Sequence, residues 1–300
     1  MRGKHIFCLF LILILLFCQC GAKSYGEESY RSGPEPLLDK YHEIKKELEK
    51  NSGTVPFHVE SSANAHASQV DIYGIIKYPF EMVQNEFLVP TNWCDIVLPH
   101  LNVRACTYKK VNDTWLLNIY NVDKSSEPLE DAYQMKFLYR VSVLQPEYFN
   151  ISLTADEGPS HTKDHLLGFE AIPLETDTTF IHMRYSFGYS AFGYFLMKIF
   201  GGSKIGFSIS GTDSSGNPVY VGGLRGIVER YVVYYYLAVL AYLDTLKSPP
   251  DQRFGKRISQ WYDLTAGFKN QLFEMNKEEY FTHKNQDWKS QERLQSELNR

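Results

Sequence analysis

His161 and His165 stand four residues apart with Asp164 between them, a spacing that on a helix turns two imidazoles towards one metal ion. Gly158 and Pro159 come first and an apolar alternation follows, so the segment reads as a loop running into a strand and the pair as solvated histidines. Cys94, Asp95 and His100 bring a thiol, an acid and a base together in sequence. A nucleophilic thiol needs a lowered pKa, and a disulfide or simple packing is the stronger reading. Glu170, His182 and Arg184 fall on two consecutive predicted strands and combine a carboxylate, a base that titrates near neutrality and a permanent cation. They lie in opposite phase to Phe169 and Tyr185, so if the aromatic face looks inward these three look outward, to solvent or the terminal helices. Ser208 and Ser210 sit in an alternating strand outside any GxSxG elbow. Gly222, Gly223 and Gly226 lack the lysine of a phosphate loop and the full dinucleotide fingerprint, and fit a tight turn into a helix. No catalytic residue, metal or cofactor is assigned from these groups.

The elements that position them follow from hydrophobic pattern. With 44% hydrophobic and 15% aromatic residues among 300, the chain has the means to bury a substantial core. Its net charge of −4, with basic residues scattered among acids, argues against nucleic acid as a partner. A helix is expected over 37–52, with Leu38, Tyr41, Ile44 and Leu48 on one stripe. VDIYGIIKY from Val70 is a strand stopped by Pro79, and two short helical segments follow. From Ala132 to Leu144 the residues Tyr133, Met135, Phe137, Tyr139, Val141 and Val143 oppose polar neighbours, the period of a strand with one face in a core. The same alternation returns over 148–155, 165–172 and 179–189. Connections this short join antiparallel strands. A short apolar helix over 191–200 and a hairpin around Asp213–Asn217 lead into LRGIVERYVVYYYLAVLAYLDTL, Leu224 to Leu246, one long and largely buried helix. After Pro249 and Pro250 an amphipathic helix is expected over 250–284, then a polar tail over 285–300.

At the other end, Arg2 and Lys4 precede an apolar run from Ile6 to Cys18, too short for a permanent span. Residues 1–22 are expected to be a secretory signal and 23–36 a linker. Two outcomes stay open: cleavage after Ala22, or lipid attachment at Cys20, which is followed by Gly21 but preceded by the ill-fitting Phe17 and Gln19. Either sends the chain out of the cytoplasm, to the periplasm, the medium or a membrane-tethered place in the cell envelope. The mature chain keeps Cys94 and Cys106, a candidate disulfide in an oxidising compartment, with two buried thiols as the alternative.

VDIYGIIKYPFEMVQNEFLVPTNWCDIV near the start and GIVERYVVYYYLAVLAYL near the end, with the strands between, resemble the helix-grip superfamily of START lipid-transfer domains and Bet v 1-like proteins. The resemblance is one of element order and covers about residues 69–246; the domain as a whole is placed at 53–246. It implies an α+β fold in which a curved antiparallel sheet grips a long C-terminal helix. Here that fold would carry an inserted helix-hairpin and an extra C-terminal helix. It also implies an apolar cavity between sheet and helix, since members bind lipids, sterols and similar ligands and some act enzymatically on polyketides or aromatic compounds. Tyr133, Phe137, Tyr139, Phe149, Tyr185, Phe187, Phe207 and Tyr235 are the expected lining. Binding of an apolar molecule without covalent chemistry is the first expectation. A cyclase, aromatase or hydrolase in the same cavity and a non-catalytic envelope module are the alternatives.

Overall fold

Alternating apolar and polar side chains leave a strand with one face that must be covered, and this chain meets that demand on both faces of a single sheet. The computed structural model describes residues 32–50, 55–190 and 205–300, and Gly33–Arg300 form one unit. The expected signal, Cys20, most of the expected linker and the helix expected over 191–200 lie outside the described residues. The chain opens with α1 (Pro34–Lys50), β1 (Phe57–Ala63), β2 (Ala67–Ile76), α2 (Phe80–Phe87) and α3 (Asn92–Val97). A run of strands follows: β3 (Val103–Val111), β4 (Thr114–Asn121), β5 (Tyr133–Gln145), β6 (Tyr148–Glu157), β7 (Thr162–Glu175) and β8 (Thr178–Tyr189). The small hairpin β9 (Ile209–Thr212) and β10 (Pro218–Tyr220) precedes α4 (Gly223–Thr245), α5 (Pro250–Ala266), α6 (Lys269–Leu272) and α7 (Lys277–Leu298). The eight strands pair in the order β1-β2-β8-β7-β6-β5-β4-β3, every pair antiparallel. The architecture is α+β, a curved antiparallel sheet closed by one long helix, as the helix-grip resemblance implies.

Register decides what each face carries. Val70, Ile72 and Gly74 of β2 lie opposite Tyr185, Met183 and Ile181 of β8, and the latter two oppose Phe169 and Ala171 of β7. These residues belong to the core that contains α4. α4 presses directly on β2: Tyr236 is fully buried, and a Cβ at Gly74 would land on its phenol. Further along, α2 and α3 cover the sheet, where Phe87 stacks on Phe169 at 4.3 Å and Phe80 packs on Phe149 at 5.7 Å. A disulfide joins Cys94 of α3 to Cys106 of β3, with Cα atoms 5.0 Å apart. The opposite face is covered by α1, whose Leu37, Ile44 and Leu48 bury against Tyr73, Tyr148, Ile172 and Phe180.

Three expectations are corrected. A strand precedes the one at Val70: β1 has apolar alternation only at Phe57 and Val59 before Glu60, Ser61 and Ser62, too brief a signal to stand out. The helix expected over 250–284 ends at Ala266, followed by Gly267, and a new helix starts beyond Asn276, whose side chain accepts the Glu279 N–H. Residues 285–300 belong to that helix, almost to its end, and are no tail. Their polarity has a structural purpose, because α7 lies along β3, the last strand of the sheet. The Gln291 side chain accepts the N–H of Cys106 at 2.8 Å, and Gln295 accepts from Tyr108 N at 2.9 Å and donates to its carbonyl at 3.0 Å. Two glutamine amides thus occupy an open strand edge that would otherwise template aggregation.

Gly74→Ala is expected to destabilise the protein by about 1–3 kcal/mol through overpacking, read by urea denaturation. Gly74→Ala combined with Tyr236→Phe should recover part of the loss, since the phenol oxygen is the nearest atom met; an unchanged midpoint in the single variant would show that α4 is not seated on β2. A second expectation concerns α1. His58 of β1 stands 2.9 Å from Glu47 of α1 and 3.1 Å from Glu60, which also holds Lys40 of α1 at 2.6 Å. The hydrogen bond that His58 donates to Glu60 leads in raising its pKa above 6.5, against burial and with Glu47 assisting. The imidazolium contribution is therefore complete below pH 6.5 and fades as pH rises through the raised value. Hydrogen exchange of α1 amides, corrected for intrinsic rate, should accelerate over that interval in the parent and be flat in His58→Gln.

Candidate functional site

The first half of α4 does not share the tight seat of the second. Leu224, Ile227, Tyr231 and Tyr235 follow one another at three and four residues and stay partly accessible, whereas the following segment from Tyr236 to Val239 is buried. The phenols are nonetheless deep. Burial pushes the pKa of Tyr235 and of Tyr185 far above the usual phenol range, with the neighbouring phenols adding to the rise. Burial, then Glu274 and Asp123, pushes Tyr231 up to about 12. Among the described residues Tyr231 and Tyr235 of α4, Tyr185 and Phe187 of β8, His165 of β7 and the ring of His100 form one cluster.

His165 is stacked on Phe187 at 5.4 Å and buried. Its hydrogen bonds assign its tautomer. Thr162 donates its hydroxyl proton to the Pro159 carbonyl at 2.6 Å, so its oxygen, 2.9 Å from His165 Nε2, accepts from that nitrogen. Nδ1 is then the acceptor of the Tyr185 O–H at 2.8 Å. Burial lowers the His165 pKa to about 4, despite the opposing charge of Asp164. His100 is neutral as well: its Nδ1 accepts the Asn102 N–H at 3.0 Å, and burial, helped by Lys284, lowers its pKa to about 3. Its ring stacks on Tyr235 at 4.5 Å and Tyr231 at 5.4 Å, and its buried Nε2 has no hydrogen-bond partner. Among the described residues the hydroxyls of Tyr231 and Tyr235 also make no hydrogen bond.

Of the residues expected to line a cavity, Tyr185, Phe187 and Tyr235 meet here. Phe137 and Tyr139 lie buried in the sheet's middle, and Tyr139 donates to the Phe87 carbonyl of α2 at 3.1 Å. Phe149 packs between Phe80 and Phe169. Phe207 stands against Phe57 and Phe268 beside β1. Tyr133, the first residue of β5, is 39% exposed at the rim. The expectation spread the lining over the whole sheet because it gave α4 the whole sheet to cover; α2 and α3 take the middle. His100, His165 and Tyr231 were missed as members of this cluster. The signal available for Tyr231 was its place on the same helical stripe as Tyr235.

The other chemistry-bearing groups are spent elsewhere. His161 lies exposed in a turn and does not share a site with His165. Asp95 pairs with Arg257 at 3.2 Å. Glu170, His182 and Arg184 are on the α1 side of the sheet as their phase required, but they are not open to solvent. His182 bridges Glu170 at 2.8 Å and Asp71 at 2.7 Å, and Arg184 holds Asp71 at 2.7 Å. Burial opposes charge on His182, yet the two carboxylates outweigh it and raise its pKa. Burial likewise opposes Asp71, and His182 and Arg184 bring it down to about 2. Glu229 accepts from the Ser61 hydroxyl and from the N–H groups of Phe207 and Ser208 at 2.6 and 2.9 Å, and Arg230 pairs with Glu274 at 2.7 Å. They brace the start of α4. Gly222 caps α4 and Gly223 takes φ +62°, the tight turn expected of these glycines. A separate cavity of about 180 Å³ opens beside α5 and α6, against Leu101, Trp261, Leu272 and Met275, away from all the expected lining residues.

No protein-family model matches the chain, and no curated protein matches it in sequence. Solved structures are similar at low identity. The human StarD13 (DLC2) lipid transfer and protein localization domain is 11% identical, with a TM-score of 0.34, over 53% of this chain and 85% of that one. Human StAR-related lipid transfer protein 5 is 11% identical, with a TM-score of 0.33, over 76% and 99%. The Zhui aromatase/cyclase of Streptomyces sp. R1128 is 9% identical, with a TM-score of 0.34, over 67% and 96%. These likenesses concern the fold; the site is argued from its own residues.

Imidazole NMR on ¹⁵N-histidine-labelled protein should find His165 as the neutral Nε2–H tautomer with a midpoint near 4. A midpoint close to 6.5 would mean that His165 is open to bulk water.

Proposed function

We propose that this protein is an exported carrier that binds an apolar small molecule or lipid in the chamber between the first half of α4 and strands β7 and β8. The observation that carries the reading is the set of three phenols, Tyr185, Tyr231 and Tyr235, held deep in the protein yet partly accessible. Aromatic walls supply apolar area, and a few hydroxyls supply orientation, the composition of a small-molecule site. Export is supported by the basic residues and apolar run at residues 2–18 and by the disulfide between Cys94 and Cys106. No described helix is long and apolar enough to cross a membrane; lipid on Cys20 would supply a tether in its place.

The Tyr185–His165 pair is the observation that favours an enzyme in the same chamber. Its energetics favour binding. Acid–base catalysis is efficient when the group's pKa lies near the working pH, whereas His165 falls to about 4 and the phenol rises far above neutrality.

Native mass spectrometry and solvent extraction of protein purified from its own cell should find one apolar molecule per chain. Delipidated protein should take up the neutral dye N-phenyl-1-naphthylamine with a rise in fluorescence. Protein that carries nothing and takes up nothing would end this reading.

A further inference from the structure

The cavity beside α5 and α6 is built by residues that lie outside the sheet and outside α4. α5 ends at Ala266 with Gly267 as its cap, and the chain returns through α6 to Asn276, the cap of α7. Hydrogen bonds pin this return: Tyr262 of α5 donates to the Met275 carbonyl at 3.1 Å, and Tyr234 of α4 donates to the Leu272 carbonyl at 2.6 Å. Between the return and α5 about 180 Å³ is left unfilled. Leu101, Trp261, Thr265, Leu272 and Met275 are its buried wall, and Ala266, Lys269 and Phe273 are exposed at its mouth.

The polar groups of the wall are already spent. Trp261 gives its N–H to the Tyr234 carbonyl at 3.0 Å, and Thr265 gives its hydroxyl proton to the Tyr262 carbonyl at 2.8 Å. The Leu272 and Met275 carbonyls are taken by the two phenols. An enclosed water needs two to four polar partners, whereas an apolar cavity of about 150 Å³ stays dry and holds benzene. The space is therefore one ring in size.

Its chemistry favours an aromatic ring over a saturated one. Trp261 stacks on Tyr234 at 5.3 Å and on Tyr280 at 5.1 Å, and Tyr262 packs on the same Tyr280 at 5.5 Å. Ring faces engaged in this stack leave ring edges as the aromatic part of the wall. An edge carries positive hydrogens and attracts the negative face of another ring. Met275 adds a thioether, which also packs favourably on aromatic rings. The rim makes little demand on charge, since Glu274 is matched by Arg230 at 2.7 Å and Lys269 lies over the Phe273 ring at 5.6 Å.

We infer that this cavity is a second binding site, which takes the single aromatic ring of a small molecule and leaves the ring's substituent at the mouth. The inference does not rest on the carrier reading.

The test uses the full chain labelled with ¹³C-methyl methionine, the Met275 signal being assigned with Met275→Leu. Benzyl alcohol should shift the Met275 methyl saturably through its ring current and leave Met135 and Met183, in the core of the sheet, unmoved. Cyclohexylmethanol, with the same hydroxyl on a saturated ring, should reverse that shift only at a concentration about fivefold higher than an equally bound competitor would need. Ala266→Phe, which places a ring in the mouth, should abolish the shift. A Met275 methyl that stays still up to the solubility limit, a shift at Met183 in its place, or a shift that survives in folded Ala266→Phe overturns the inference. So does cyclohexylmethanol that competes as though it bound as well as benzyl alcohol. The comparison of the two alcohols is made on the parent protein, so it decides the question even where Ala266→Phe folds poorly.

Discussion

The contact of Tyr236 with Gly74 is the constraint on which the rest of the structure depends. A helix carrying Val232, Val233, Leu237, Val239 and Leu243 around its circumference must be covered on every side. Only a strand without a side chain at the crossing point lets such a helix come close enough for the phenol to fill the gap. Once α4 is seated on β2, a straight helix and a twisted sheet cannot stay in contact along their whole length. The middle of the sheet therefore falls to α2 and α3, whose Phe80, Phe87 and Trp93 fill it with stacked rings. The first half of α4 turns its tyrosines to His100 and Tyr185.

Seating the helix on one flank also sets the problem of the sheet's two ends. At the β1 end the backbone is engaged by Ser208, which donates to the Val59 carbonyl at 3.2 Å, and by Arg225 on Ser61. At the β3 end α7 supplies the glutamine amides, and its Lys284 and Asp287 tie the strand's approach through Arg104. The inserted hairpin and the added C-terminal helices are thus more than decoration on a smaller fold. They close edges that a sheet left open would offer to other chains.

Much of this was legible from periodicity. The strands from Tyr133 to Tyr189, the outward phase of Glu170, His182 and Arg184, and the long buried helix all follow from residue spacing over many residues, where the signal accumulates. β1 was not legible because two apolar residues cannot establish a period. α7 was misread because its inner face is polar: Lys284, Asp287, Gln291 and Gln295 satisfy backbone groups of β3 instead of filling a core. The aromatic cluster beside α4 was half legible. Tyr185, Phe187 and Tyr235 come from alternation and the helical stripe. Which expected aromatics would be filled over by α2 depends on where helices land on a curved surface, and that is a long-range property no local pattern contains.

The two faces of the sheet divide the protein's charge. Asp71 lies between Val70 and Ile72, Glu170 between Phe169 and Ala171, and His182 and Arg184 flank Met183. Each charged group is one residue from a side chain on the opposite face, so the alternation that turns the apolar residues inward turns these charges outward, where they neutralise one another beneath α1. A slip of one residue in β2, β7 or β8 would invert the arrangement and place ionised groups against the tyrosines of α4. The buried network therefore acts on register as much as on stability: its members find partners only in the pairing that exists, and burying any one of them alone would be strongly unfavourable.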